Sequence, residues 1–375
     1  MRVLQLSKFF PPIFGGIETV TWELAEGLQA AGVRVEVLCA NQAPRTVRER
    51  APSGYGVVRA GSWGQWLSTS MAPPMVAEML RRRHAQDIVH VHMPDPMAAA
   101  ALWTTRPAAR IVVHWHSDVV RQRRALALYR PLQDWLLARA DAVIATSDAY
   151  ARASGPLAPW LGKVAVVPIG MSDNRPLACR LRAAEVRQRV RGRHLVFALG
   201  RMTYYKGFEV LIEAARQLPD DCAVIIGGHG ELLEPYRQLV ARSGLSGKVQ
   251  LPGHIPDDEL ASYFEACDVF CMPSTLRAEA YGVAMVEAMG VGRPVVASDI
   301  IGSGVPWVNQ HGRTGLNVPV GDASALASAL RRLLADDDWR EALGRGARRR
   351  YEEEFSAARM TSRVLALYRD LLASS

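Results

Sequence analysis

Short runs of valine, isoleucine and leucine alternate with amphipathic segments along the whole sequence, and the alternation starts twice. MRVLQLS, VRVEVLCA, DIVHVH, ARIVVHWH and DAVIATS read as strands in the first half. HLVFALG, CAVIIGG, VQLPGHI, DVFCMPS and RPVVAS read as strands in the second. Their near-continuous apolar character fits parallel strands covered on both faces. Helical spacing fills the intervals. GGIETVTWELAEGLQAAG carries Val20, Leu24 and Leu28 on one face and stops at Gly32. FEVLIEAARQL, ELLEPYRQLVARSG, DDELASYFEAC and GVAMVEAMGVG follow in the second half, and Asp257 and Asp258 fall where a helix N-cap is expected. Cys267 and Cys271 fall in a segment that reads as strand. Two successive βα series predict an α/β chain of two doubly wound domains. The strand rhythm breaks over 168–192, which places the domains at 1–170 and 171–355. The last helix, 356–375, has no strand after it and is expected to pack back on the first domain. In such folds ligands gather beyond the C-terminal ends of strands, so the cleft between the domains is the expected site.

Composition narrows the partners. No apolar run reaches the ~18 residues needed to cross a bilayer, and the apolar start of MRVLQLSKFFPP is too short for a secretory leader. A cytoplasmic protein is expected. Five scattered cysteines without a CxxC spacing suggest neither a disulfide framework nor a zinc site. The net charge is +8, and it is uneven: residues 1–175 hold 20 Arg and Lys against 13 Asp and Glu, the rest 25 against 24. A basic first half suits an anionic membrane surface or a phosphate-bearing partner, and a merely solvated arginine-rich surface fits as well. No basic motif is interleaved with aromatics, so nucleic acid is not expected. Lysine is scarce, at Lys8, Lys163, Lys206 and Lys248 only, which makes Lys206 in the GRMTYYKG loop informative as a compact point charge.

The chemistry concentrates in two segments. In EAYGVAMVE, Glu279 precedes a helix that Gly282 opens, and Glu287 lies more than a turn inside it. That spacing is wrong for a retaining hydrolase, whose two carboxylates stand only ~5 Å apart. GRMTYYKG follows an apolar strand and supplies Arg201 and Lys206. Two carboxylates, two cations and a helix N-terminus are the equipment for holding a sugar joined to a diphosphate. Two further segments belong with them. In PPIFGGIE, Gly15 and Gly16 are expected to adopt positive φ and let a ligand approach the start of the first helix, although an ordinary βα turn reads equally well. In HWHSD, alternation puts His114 and His116 on one face and Trp115 on the other. Asp118 reads either as a substrate contact or as a helix cap. Trp307 and His311 read as local structure. No Asp-x-Asp pair sits at a strand end, so no metal is expected.

GGIE at Gly15–Glu18, HWHSD at His114–Asp118, GRMTYYKG at Gly200–Gly207 and EAYGVAMVEAMGVGRPVVAS at Glu279–Ser298 together resemble the retaining glycosyltransferases of family 4, which have two Rossmann-like domains in the GT-B arrangement. The resemblance spans essentially the whole chain, in order. It is closest to mannosyl- and rhamnosyltransferases of bacterial surface polysaccharide assembly. It implies a nucleotide-sugar donor held by Gly15, Gly16, Gly200, Arg201, Lys206, Gly228 of the GGHG loop, Glu279, Tyr281, Gly282, Val283, Ala284 and Glu287. Glu279 would contact the transferred sugar and Glu287 the ribose. His116, Arg201, Lys206 and Glu279 would be catalytic, with His116 beside the sugar. Glu18, Asp118 and Arg121 would face the acceptor. No cofactor is implied beyond the donor itself, since Arg201, Lys206 and the helix dipole replace a metal at the diphosphate. GDP-mannose is the first expectation for the donor, GDP-rhamnose or a UDP-hexose the next. The acceptor would be a lipid-linked saccharide, reached by peripheral attachment to the inner face of the cytoplasmic membrane. Two rivals stay open: a nucleotide-sugar epimerase of the same architecture, and a catalytically silent sugar-nucleotide binding module.

Overall fold

Both runs of apolar strands form sheets. The computed structural model describes residues 1–13, 15–66, 69–119, 123–173, 177–190 and 194–374, and at 123–126, 128 and 177–181 it describes the backbone alone. Contacts divide the chain into two units, Met1–Gly170 with Ala357–Ser375, and Met171–Ser356.

The first unit contains β1 (Arg2–Ser7), β2 (Arg34–Ala40), β3 (Val47–Arg50), β4 (Gly56–Ala60), β5 (Gln65–Trp66), β6 (Thr69–Ser70), β7 (Ile88–Met93), β8 (Arg110–Trp115), β9 (Ala142–Ala145) and β10 (Val164–Val166). Eight of them make one sheet in the order β10-β9-β8-β7-β1-β2-β4-β3, while β5 and β6 form a separate hairpin. All pairings in the large sheet are parallel except β3 with β4. β3 reads VRER and is largely exposed, so no apolar run betrays it in the sequence. An antiparallel, charged edge strand also discourages pairing with another chain.

The second unit contains β11 (His194–Leu199), β12 (Cys222–Gly227), β13 (Val249–Gly253), β14 (Val269–Met272), β15 (Val295–Ser298) and β16 (Gly315–Val318), all parallel, in the order β13-β12-β11-β14-β15-β16. Its core joins Val196, Val224, Ile226, Val269 and Val296 of the sheet to Phe208, Leu211, Leu330 and Leu333 of the covering helices. Burying each such side chain contributes about 1.5–3 kcal/mol.

Strand order reverses between β1 and β7 in the first sheet and between β11 and β14 in the second. Loops beyond such switch points bind ligands in doubly wound folds. The loops after β1, β11 and β14 are PPIFGG, GRMTYYKG and PSTLRAEAYG. The C-terminal helix Ala357–Ala373 packs on the helix Gly16–Ala30 of the first unit, burying Met360, Val364 and Tyr368. No helix among the described residues is long and apolar enough to cross a membrane.

Two local readings need correction. Pro256, not an aspartate, precedes the helix Asp257–Ala266, and the acids occupy its first turn, where they still favour the helix dipole. Cys267 ends that helix, so only Cys271 lies in β14. Both thiols are buried and free.

Candidate active site

In the second unit three loops lock together through their backbones. Gly200 N donates to Gly227 O at 3.1 Å, Met202 N to His229 O at 2.9 Å, and Leu232 N to Met202 O at 3.0 Å. The glycines of GGHG are required for this. Gly228 has φ 129°, and a Cβ there would stand 1.9 Å from the Gly200 carbonyl oxygen. On the other side, Thr275 N donates to Tyr205 O at 2.8 Å, tying the loop after β14 to the GRMTYYKG loop.

That tie brings Lys206 and Glu279 together across 73 residues of sequence. Lys206 Nζ lies 2.6 Å from Glu279 Oε2, and the Ser274 hydroxyl donates to the same oxygen at 2.9 Å. The two side chains are only 12 % and 9 % exposed. Burial works to lower the lysine's pKa, but the Glu279 carboxylate and the Tyr205 ring outweigh it and the net shift is upward, so Lys206 is charged. Its stem lies over Gly200, where a Cβ would meet Lys206 Cε at 2.9 Å. Arg201 stands exposed nearby and has no hydrogen bond or ion pair among the described residues.

Glu279 is fixed from behind as well. Its carbonyl accepts from the Ser303 hydroxyl, and Gly304 N donates to Ala280 O at 2.8 Å. Gly282 has φ 87°, which turns the chain into the helix Val283–Gly290. The N–H groups of Gly282, Val283 and Ala284 have no protein acceptor among the described residues, so the positive end of this helix remains available to an anion. Glu287 sits partly buried one turn further on, beside the core residues Val286 and Met289. Trp307 packs beneath Arg350, and His311 Nδ1 accepts from Asn317 N at 3.0 Å, both local structure.

The first unit holds the other candidate residues. Gly15 is extended, at φ −168°, and Gly16 begins the helix Gly16–Ala30, so neither takes the positive φ expected of it. Glycine is needed at 15 for space: a Cβ would lie 2.5 Å from Glu18 Oε2, which folds back over the turn. Asp118 accepts from Trp115 Nε1 at 3.0 Å and from the Ser154 hydroxyl at 2.6 Å, while Tyr150 OH accepts from its backbone N–H at 2.7 Å. These bonds tie the HWHSD loop down, and the residues between Asp118 and the helix Arg123–Arg139 lie outside the described residues. Arg121 lies outside the described residues, as do the side chains of Arg123 and Arg124.

His116 follows β8 and is held by its N–H to Met93 O at 3.0 Å. His114 and His116 stack with ring centroids 4.1 Å apart, on one face as alternation requires. Sequence reasoning missed their continuation. HVH in β7 repeats the spacing of HWH in β8, and parallel pairing of His92 with His114 places His90 and His92 against them. Burial holds all four imidazoles uncharged, with His90 and His116 depressed to about 3. His90, His92 and His114 offer ligand nitrogens within 4.8 Å of one another. They could share a metal only by giving up hydrogen bonds that already engage most of those nitrogens. Asp95 was also missed. It caps the helix Pro96–Thr105 through Met97 N and Ala98 N, and burial pushes its carboxyl up to about 6.

Comparison with known proteins agrees with this architecture. The family models "Glycosyltransferase Family 4" and "Glycosyl transferases group 1" match residues 14–175 and 182–350. O-antigen chain mannosyltransferase C of Escherichia coli is 32 % identical over 381 residues, covering 100 % of both chains. D-rhamnosyltransferase WbpZ of Pseudomonas aeruginosa is 32 % identical over 360 residues, 95 % of this chain and 93 % of that one. Among solved structures, the sucrose-phosphate synthase of Thermosynechococcus elongatus superposes with a TM-score of 0.82 at 24 % identity, each chain fully covered. HepE of Anabaena, solved with UDP-glucose, gives 0.80 at 22 %, again with full coverage of both. With the motifs, the paired sheets and the Lys206–Glu279 site all in place, the chain belongs to the family 4, group 1 glycosyltransferases and is an enzyme of glycosyl transfer with the GT-B fold.

Proposed function

We propose that the protein transfers mannose from GDP-mannose, with retention of configuration, to a hydroxyl of a lipid-linked saccharide in bacterial surface polysaccharide assembly. The observation that carries this is the buried Lys206–Glu279 pair beside the uncapped start of the helix Val283–Gly290. It places a fixed cation, free N–H groups and a carboxylate within one short stretch, as a sugar diphosphate needs. GDP-mannose is favoured by the relatives: an O-antigen mannosyltransferase and a GDP-mannose-dependent phosphatidylinositol monomannoside mannosyltransferase of Mycobacterium tuberculosis, 29 % identical over 368 residues. The basic first half suits an anionic membrane carrying the acceptor.

In the reaction the acceptor oxygen bonds to the anomeric carbon on the face the diphosphate leaves. The carbon–oxygen bond to the diphosphate breaks, and the acceptor's proton passes to a phosphate oxygen of the leaving group. Negative charge grows on that diphosphate, and Lys206, Arg201 and the helix N–H groups stabilise it more in the transition state than in the ground state. Glu279 binds hydroxyls of the sugar and holds Lys206 in place. Glu287 binds the ribose, and His116 contacts the transferred sugar. These fixed positive groups take the part of a metal, so activity should survive EDTA.

A panel of GDP-mannose, UDP-glucose and ADP-glucose in thermal-shift measurements tests the donor. A ligand at a hundred times its Kd stabilises by about 2.7 kcal/mol. GDP-mannose should raise the Tm of the native chain and not that of Lys206→Ala. A shift with UDP-glucose alone would overturn the donor. D-rhamnosyltransferase WbpZ is as similar as the mannosyltransferase, so GDP-rhamnose is the second reading and joins the panel.

A further inference from the structure

Six side chains of the first unit form one hydrogen-bonded chain, of which the proposed reaction uses only His116. His116 Nε2 meets His92 Nδ1 at 2.9 Å, and His92 Nε2 meets Gln5 Oε1 at 2.8 Å. Gln5 Nε2 donates to the Tyr368 hydroxyl at 3.5 Å, and that hydroxyl meets His90 Nδ1 at 2.5 Å. His90 Nε2 meets His114 Nδ1 at 3.2 Å. The six come from β1, β7, the end of β8 and the C-terminal helix. All are buried, and His116, at 6 %, is the most exposed.

The sense of the chain follows from the atom that has only one role. Gln5 Oε1 can only accept, so His92 donates through Nε2. An uncharged imidazole carries one proton, so His92 Nδ1 is a bare acceptor and the proton of the next contact belongs to His116 Nε2. His116 Nδ1 is thereby left as a lone pair, and it has no hydrogen-bond partner among the described residues. On the other side Gln5 donates to Tyr368, whose hydroxyl meets His90, and His90 meets His114. There the chain stops, because His114 Nε2 is buried without a partner. A proton sent along it has no exit. The chain therefore does not conduct protons; it fixes them.

We propose that Gln5 and His92 are positioning residues that hold His116 as its Nε2-protonated tautomer, so that Nδ1 accepts a hydrogen bond from a hydroxyl of the transferred sugar. This rests on the reading of His116 as a sugar contact. Gln5 sets the sense. Among the described residues, the rings packed on His116 are the uncharged imidazoles of His92 in β7 and His114 in β8. Burial is the sole cause of its lowered pKa.

Nitrogen-15 NMR of the full chain reads the tautomer directly, with the His116 signals identified by their loss in His116→Ala. The expected spectrum shows a single Nε2–H tautomer that does not titrate between pH 6 and 8. In Gln5→Met the His116 signals should move to values averaged between tautomers. The donor KM should rise roughly 5- to 10-fold, the effect of one weakened hydrogen bond, with a smaller change in kcat. Should Gln5→Met not fold, Gln5→Leu takes its place, since it removes the same acceptor from His92 Nε2. Mixed tautomers or a protonation midpoint near the ordinary value of about 6.5 in the native chain would overturn the proposal whatever the kinetics. A locked tautomer, lost in Gln5→Met while donor KM does not move, would overturn it through its premise that His116 meets the sugar.

Discussion

Replacing Lys206 by alanine removes the cation beside the expected diphosphate and also leaves the Glu279 carboxylate, only 9 % exposed, without its partner. Losing one well-placed charge-stabilising donor costs ~100- to 1,000-fold in rate, and kcat of Lys206→Ala should fall by that factor in steady-state transfer assays. Lys206→Arg should not restore it, because the stem runs over Gly200 at close contact and a planar fork cannot replace a point charge there. Glu279→Gln keeps the shape and loses the pairing; it should lower kcat and also let Lys206 release its proton more easily. The native lysine's pKa is raised, so the ion pair contributes stability below the unfolded value of 10.5 and loses it only as pH climbs through the higher folded value. At this scale much of the candidate site was legible in the sequence. Arg201, Lys206, Glu279 and Glu287 stand out by type and spacing. Their contacts do not, since the 2.6 Å bond between Lys206 and Glu279 joins residues 73 positions apart through a loop tie that no local pattern encodes.

Among elements, the glycine turns decide whether the loops can meet. Gly228→Ala would drive a Cβ into the Gly200 carbonyl, and backbone cannot move aside as a side chain can. That variant should lose donor-induced thermal stabilisation and fall in Tm. Gly282→Ala is milder. Its left-handed φ costs an alanine roughly 1–2 kcal/mol, and the nearest atoms belong to Met285 and Met272, which can give. Chemical denaturation should therefore show a small loss of stability for Gly282→Ala and a larger one for Gly228→Ala. Strands such as β11 and β12 were plain in the sequence because both faces are apolar. β3 was hidden because VRER pairs at an edge and buries almost nothing. His90 and His92 were hidden for another reason: their meaning depends on β7 lying beside β8, and strand order is a property of the sheet.

For the whole molecule, the buried histidines set an acid limit. Their folded pKa values are lowered, so the unfolded chain binds more protons between about 6.5 and about 3. Stability is full above 6.5 and declines as pH falls through that window, by up to roughly 1.4 kcal/mol per pH unit for each histidine. Asp95 opposes this over part of the range, since its raised pKa of about 6 makes the folded state bind a proton first. Three of the four histidines remain uncompensated, so urea unfolding should give a falling free energy from pH 6.5 to 4. The uneven charge predicts a second global property: sedimentation with anionic vesicles that weakens steeply as salt shortens the Debye length to about 8 Å at 0.15 M, and no sedimentation with neutral vesicles. The division of the chain carries a further consequence, for the order in which it is made. Residues 357–375 complete the unit begun by residues 1–170, and the intervening Met171–Ser356 must be synthesised first. At roughly 5–20 residues per second the ribosome spends about 10–40 s on that insertion. Throughout that time Gln5 and His90 have no Tyr368 to bond, so the unit translated first is the last to finish folding, and a nascent-chain chaperone would find its exposed helix Gly16–Ala30 before the chain's own C-terminal helix does.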